Sequence, residues 1–156
     1  MPNRPTSDLV LRAFLTANVP AVLNRVAAVL PEDRTTWRDF GFLQFASIGG
    51  TPEPGLQQRR PVYSLRAYAT APDSASARPD WAKANALIEE IITLEEKRNR
   101  LAGGFARPVL PAAFTGAIVQ NFVIHSEPRR IPGNPTGYAR FDLDVELWWT
   151  PLAGTF

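Results

Sequence analysis

Tyr138 to Thr150 reads YARFDLDVELWWT, thirteen residues in which apolar and polar side chains alternate almost without a break. Ala139, Phe141, Leu143, Val145, Leu147 and Trp149 fall on one face. Tyr138, Arg140, Asp142, Asp144, Glu146 and Trp148 fall on the other. A period of two marks a β-strand with one dry and one wet face. At about 3.3 Å per residue the stretch is roughly 43 Å long. A compact chain of this size is only about 40 Å across. The strand must therefore span the globule, bend or protrude. Its expected partner is Ala117–His125 (AIVQNFVIH), joined to it through the loop Ser126–Gly137.

The preceding segments supply the rest of a sheet and its cover. Asp8 to Asn18 (DLVLRAFLTAN) places Leu9, Val10, Ala13, Phe14 and Ala17 on one helical face, with Ser7 as the expected N-cap and Asp8 in the first turn. Pro20 ends this helix. Ala21–Leu30 fits either a second helix or a strand. Gly41–Ile48 and Pro61–Thr70 predict two strands, and Gly49-Gly50 predicts a turn with positive φ between them. A polar linker, Ala71–Arg78, leads into a long helix from about Pro79 to Leu101. Trp81, Ala84, Ile88, Ile91 and Ile92 form its apolar stripe, and Gly103-Gly104 forms its stop. This order predicts an α+β fold in one domain over residues 1–156. The expected sheet is mostly antiparallel or mixed, with four to five strands. A short N-terminal helix and one long helix pack on one face.

Composition narrows the function classes. The chain has 156 residues, 45% of them hydrophobic and 21% charged, which is ordinary for a globular protein and enough for a real core. No apolar run approaches the roughly 20 residues that span a bilayer, and MPNRPTSD has no apolar stretch of a secretory signal. With no cysteine, disulfides, thiolate metal sites and cysteine nucleophiles are excluded together. The net charge is +2 and the basic residues are scattered, unlike the clustered patch of a strong nucleic-acid binder.

Candidate chemistry is sparse. Asp142, Asp144 and Glu146 at i, i+2 and i+4 could hold a divalent cation, but a solvated strand face with cationic partners explains them better. His125, the single histidine, stands beside Ser126 without a nucleophile-elbow pattern, and reads as a strand-end residue. Neither glycine pair belongs to a phosphate-loop motif. No catalytic, metal or cofactor site is expected. The loops Thr51–Arg60 (TPEPGLQQRR) and Ser126–Gly137 (SEPRRIPGNPTG) are more suggestive, since proline stiffens a loop and lowers the entropy lost on docking. The interface candidates are Arg59, Arg60, Arg129 and Arg130, with Trp148 as an aromatic anchor. Adjacent strand residues face opposite ways, so Trp148 and Trp149 cannot share one core layer.

The opening helix DLVLRAFLTANVPAVL, the strand ending in SIGG, RPVYSLRAYAT ahead of the Ala-rich WAKANALIEEII, and the closing YARFDLDVELWW together show a likeness over roughly Asp8 to Pro151. In these elements the chain resembles tail terminator proteins of long-tailed bacteriophages. The resemblance implies a small subunit that forms a ring, usually hexameric. Such a ring caps the head-proximal end of the tail tube, halts tube growth and presents a docking surface to the head connector. It implies no enzyme activity, no cofactor and no membrane. The implied partners are further copies of the chain, the tail tube protein and head-tail connector proteins, with DNA crossing the lumen without sequence-specific binding. The implied location is the head-tail junction of a virion, assembled in the host cytoplasm. Alternatives are another neck or head-tail connector protein of the same assembly, a small α+β ligand-binding module, and a metal-dependent enzyme using Asp142 and Asp144.

Overall fold

A computed structural model of the chain describes residues 2–23, 25–51, 55, 57–70, 78–100, 105–132 and 137–152, with residues 98–100 given by backbone alone. The expected helix stop at Gly103-Gly104, the linker 71–77, and parts of both proline-bearing loops (52–54, 56 and 133–136) lie outside the described residues.

The elements are α1 (Ser7–Asn18), β1 (Val26–Ala27), β2 (Phe42–Gly50), β3 (Pro61–Ala69), α2 (Trp81–Arg100), β4 (Ala117–Ile124), β5 (Arg129–Arg130) and β6 (Ala139–Pro151). They form the expected α+β fold. One mixed sheet runs in the order β1-β2-β3-β6-β4, and β5 also pairs with β6. Only β1 is parallel to its neighbour. The long alternating strand is thus central and is paired on both sides. β3 covers its first half, from Ala69↔Ala139 to Val62↔Glu146. β4 covers its second half, from Ile124↔Val145 to Ala117↔Pro151. No described helix is long and apolar enough to cross a membrane.

Several local expectations shift. The cap of α1 is Thr6, whose Oγ1 accepts from the Leu9 N–H at 3.3 Å, so Ser7 becomes the first helical residue. Ser7 Oγ instead accepts from the Trp149 indole N–H at 3.0 Å, and the Tyr63 hydroxyl donates to Asp8 at 2.8 Å. The first turn of α1 is therefore tied to the ends of β6 and β3. The undecided segment Ala21–Leu30 contains turn residues and then only the two-residue β1. α2 begins at Trp81, after an Asp80 side chain that accepts from the Lys83 N–H at 2.9 Å. Gly49 and Gly50 are not the turn itself. They close β2 opposite Val62 and Pro61, just after a bulge at Ser47/Gly49. A Cβ on Gly50 would lie 2.6 Å from the Arg60 carbonyl, so the approach of β3 requires glycine there.

The apolar face of the sheet packs under both helices. Leu143, Val145, Leu147 and Trp149 of β6 join Val10, Leu11, Phe14 and Leu15 of α1 and Leu87, Ile88, Ile91 and Leu94 of α2 in one buried cluster. The dry face of β6 is the one its alternation predicts.

The opposite face departs from expectation. Its Tyr138 end is not wet. The chain between β1 and β2 makes a single 3₁₀ turn, Arg34–Thr36, capped by Asp33. It then lays Trp37 onto Phe42, Tyr68 and Tyr138 as a second small core. The Trp37 and Tyr138 rings meet edge-on at 5.3 Å, and Arg34 stacks on Tyr138 at 4.6 Å. Gly41 makes this crossing possible. Its φ is +83°, and a Cβ would stand 2.7 Å from Leu87 Cδ1 and 2.9 Å from the Tyr68 carbonyl oxygen.

Two variants test the two cores by chemical denaturation. Leu143→Ala should cost about 2–5 kcal/mol, and Trp37→Ala about 3–5 kcal/mol. A loss below roughly 1 kcal/mol in Trp37→Ala would mean that the second core contributes nothing to folding.

Candidate functional site

β6 builds the polar surface of the molecule. Because neighbours on a strand point to opposite sides, each arginine pair divides. Arg60 and Arg129 reach the outer sheet face, whereas Arg59 and Arg130 turn to aromatic rings of the helix-covered face. Arg59 stacks on Trp149 at 5.4 Å, and Arg130 on Trp81 at 3.9 Å. Trp81 in turn meets Phe141 edge-on at 5.9 Å. The structure thus puts Arg60, Arg129 and Trp148 on one face of the sheet and turns the guanidiniums of Arg59 and Arg130 onto rings of the other.

Along the outer face the acidic stripe is matched cation by cation. Arg140 grips Asp142 with two bonds of 2.6 Å, a fork on a carboxylate. Arg129 reaches Asp144 at 2.9 Å. Glu146 takes Arg60 Nε at 2.9 Å and His125 Nε2 at 2.8 Å on its two oxygens. Arg60 also lies 3.9 Å above the Trp148 ring. Asp142 and Glu146 are only 7% and 8% exposed, so this part of the face is half dry, unlike the solvated strip that alternation suggests. Burial pushes the Glu146 carboxyl up, but its bonds to His125 and Arg60 outweigh that and hold it below its ordinary range.

The chemical candidates are each engaged within the fold. The three carboxylates are committed to arginine or histidine, and among the described residues no group of three His, Cys, Asp or Glu could hold a metal ion. His125 lies at the strand end, as expected. The Ser126 hydroxyl oxygen accepts from the Asp144 N–H at 2.9 Å rather than facing the imidazole.

Neither arginine loop is a plain hairpin tip. Arg59 exchanges backbone hydrogen bonds with Trp149 at 2.8 and 3.0 Å, and the Gln58 side chain bonds Gln120 on β4. Arg129 and Arg130 are themselves β5, in register with Asp142 and Phe141. Both segments are pinned onto the sheet, which lowers the entropy their arginines lose on docking.

A cleft of about 450 Å³ opens where these contacts end, beside the first turn of α1. Arg4, Ser7, Gly50, Gln58, Arg59 and Arg60 are among its lining residues, and none of the described lining residues is acidic. Arg4 carries no sequence signal that would single it out from the other scattered arginines. Trp37, which packs the Tyr138 end of the outer face, stands in a stretch with no clear period.

No protein-family model matches the sequence, and comparison with curated proteins finds no match.

The depressed Glu146 sets a pH dependence. A carboxyl whose folded pKa lies below its unfolded value contributes stability above the unfolded value, and this is lost as pH falls through the folded one. Between about pH 6 and pH 3 the unfolding free energy of the wild type should therefore fall more steeply than that of Glu146→Gln. Parallel pH profiles would show that the pairing contributes nothing to acid sensitivity.

Proposed function

We propose that this chain is a structural subunit that assembles with copies of itself into a ring, of six subunits by the family resemblance. The ring caps the head-proximal end of a phage tail tube and receives the head connector. The resemblance of the opening helix, the SIGG strand, the Ala-rich helix and the closing strand motivates this reading. The observation that carries it is the fixing of arginines at the surface. Arg59, Arg60, Arg129 and Arg130 are each ordered by an aromatic face or an ion pair. A guanidinium held against a ring is already oriented, so it can bind carboxylates or carbonyls of a neighbour with little further ordering. Trp148, beneath Arg60, acts as the aromatic anchor of that surface. The proposed location is the head-tail junction, with tail tube and connector proteins as partners and DNA passing through the lumen without sequence-specific contacts. The protein has no catalytic role in this reading.

Assembly tests it. A phage lacking the protein should accumulate filled heads that do not join tails, or tails of uncontrolled length. Replacing Arg129 and Arg130 with Gln should reduce joining while the subunit keeps nearly its full thermal stability, because the surface ion pair of Arg129 and the cation–π contact of exposed Arg130 each contribute only about 0–1 kcal/mol. Normal virions from the deletion strain would rule the assignment out.

A further inference from the structure

The charges left over after the pairing above are not spread evenly. The cleft beside α1 is lined by Arg4, Arg59 and Arg60, with no acidic residue among the described residues of its walls. Glu146 compensates Arg60. Arg59 has only the Trp149 ring against its guanidinium, and Arg4 is exposed with no ion pair among the described residues. The cleft also borders Ser7, the first residue of α1, where Asp8 in the same turn offsets the helix dipole. Two guanidiniums without an ion pair among the described residues therefore share one recess large enough to admit side chains of another molecule.

The opposite charge lies on α2. Ala84 to Glu96 (ANALIEEIITLEE) holds four glutamates and no basic residue. Glu95 accepts from the Ile124 N–H at 3.0 Å and so belongs to the β4 edge. Glu96 is also engaged within the chain. Glu89 and Glu90 are not: Glu89 is exposed, Glu90 is half-buried, and neither forms an ion pair among the described residues. No residue of α2 lines the cleft. The two surfaces are separate regions of one molecule.

We infer that the Arg4/Arg59/Arg60 cleft of one copy receives Glu89 and Glu90 on α2 of a second copy. The contact is head-to-tail, since each copy offers both halves of it. Such heterologous contacts build closed rings when the rotation closes. Charge complementarity favours this occupant: two arginines without an ion pair meet two carboxylates without one, whereas at the remaining adjacent acidic pair, Glu32 and Asp33, Asp33 is engaged as the cap of the 3₁₀ turn. Arginine suits the task because its fork makes paired bonds to a carboxylate. This deepens the ring reading and rests on it, by naming the surfaces that would join.

Sedimentation velocity on the full chain tests the contact across protein concentration, at low salt and at about 0.5 M NaCl. The wild type should self-associate, more weakly at high salt. The double variants Arg4→Glu/Arg59→Glu and Glu89→Lys/Glu90→Lys should each associate at least about tenfold more weakly. Mixing the two should restore association, because each reversed surface then meets its complement. A control with the same change in net charge, Arg12→Glu/Arg107→Glu at exposed positions outside both surfaces, should associate like the wild type. Circular dichroism and thermal melts on each variant establish folding. If either Lys substitution unfolds α2, Glu89→Gln/Glu90→Gln replaces it and should weaken association in the same direction. A wild type that stays monomeric overturns the inference, as does a control that weakens association as much as the cleft variant. Saturable binding of inorganic phosphate without self-association would make the cleft a small-anion site and likewise overturn it. Failure here leaves the tail-capping reading to its own virion assay. Restored association in the mixture, alongside normal virions from a deletion strain, would sink that reading and keep this interface.

Discussion

Burial of the apolar row of β6 is the constraint on which the rest of the molecule depends. Leu143, Val145, Leu147 and Trp149 are all fully buried beneath α1 and α2. At roughly 1.5–3 kcal/mol for each large side chain removed from water, that row is the main anchor for both helices. It also fixes register. A slip of one residue would drive Asp142, Asp144 and Glu146 into the core and expose the apolar row, so the strand admits one pairing only. Because β6 is flanked by β3 on one side and by β4 and β5 on the other, fixing its register fixes theirs. The arginines of β5 and of the segment ahead of β3 inherit their positions from this one strand.

The outer face follows from the same geometry. Once the apolar row is buried, three carboxylates are forced onto the other side, spaced by two residues. Like charges at that spacing repel unless cations intervene, and Arg140, Arg129 and Arg60 do so, while the His125 ring hydrogen-bonds Glu146. Partial burial of Asp142 and Glu146 raises the stakes. Removing one partner would leave a half-dry charge uncompensated, which costs more than the pair itself contributes. The aromatic layer of Trp37, Phe42, Tyr68 and Tyr138 then closes the end of the face where charges give way to rings. A surface organised in this manner is stiff, with its guanidiniums already oriented. Stiffness of that kind suits docking between large rigid bodies, where entropy lost by side chains would otherwise weaken the contact.

The alternation of Tyr138–Thr150 by itself determined the central strand, its dry face, and, with the helical stripes of Asp8–Asn18 and Trp81–Ile92, the α+β class. These features are local and periodic, so a short window holds all the information they need. The opposing directions of Trp148 and Trp149 were equally legible, since the pleat alone dictates them. Only the tertiary structure decided the remainder. Which arginine meets which carboxylate depends on register between segments as far apart as Arg60 and Glu146, and sequence spacing carries no trace of that pairing. The burial of Tyr138 depends on Trp37, about a hundred positions earlier in the chain, reaching over the sheet after Gly41 lets the backbone turn. Thr6 rather than Ser7 caps α1, and Ser7 is engaged by Trp149 at the far end of β6. The cleft beside α1 exists because the N-terminal segment, the end of β2 and the start of β3 converge there. Contacts between distant segments arise from packing in three dimensions, and periodicity in one dimension cannot specify them.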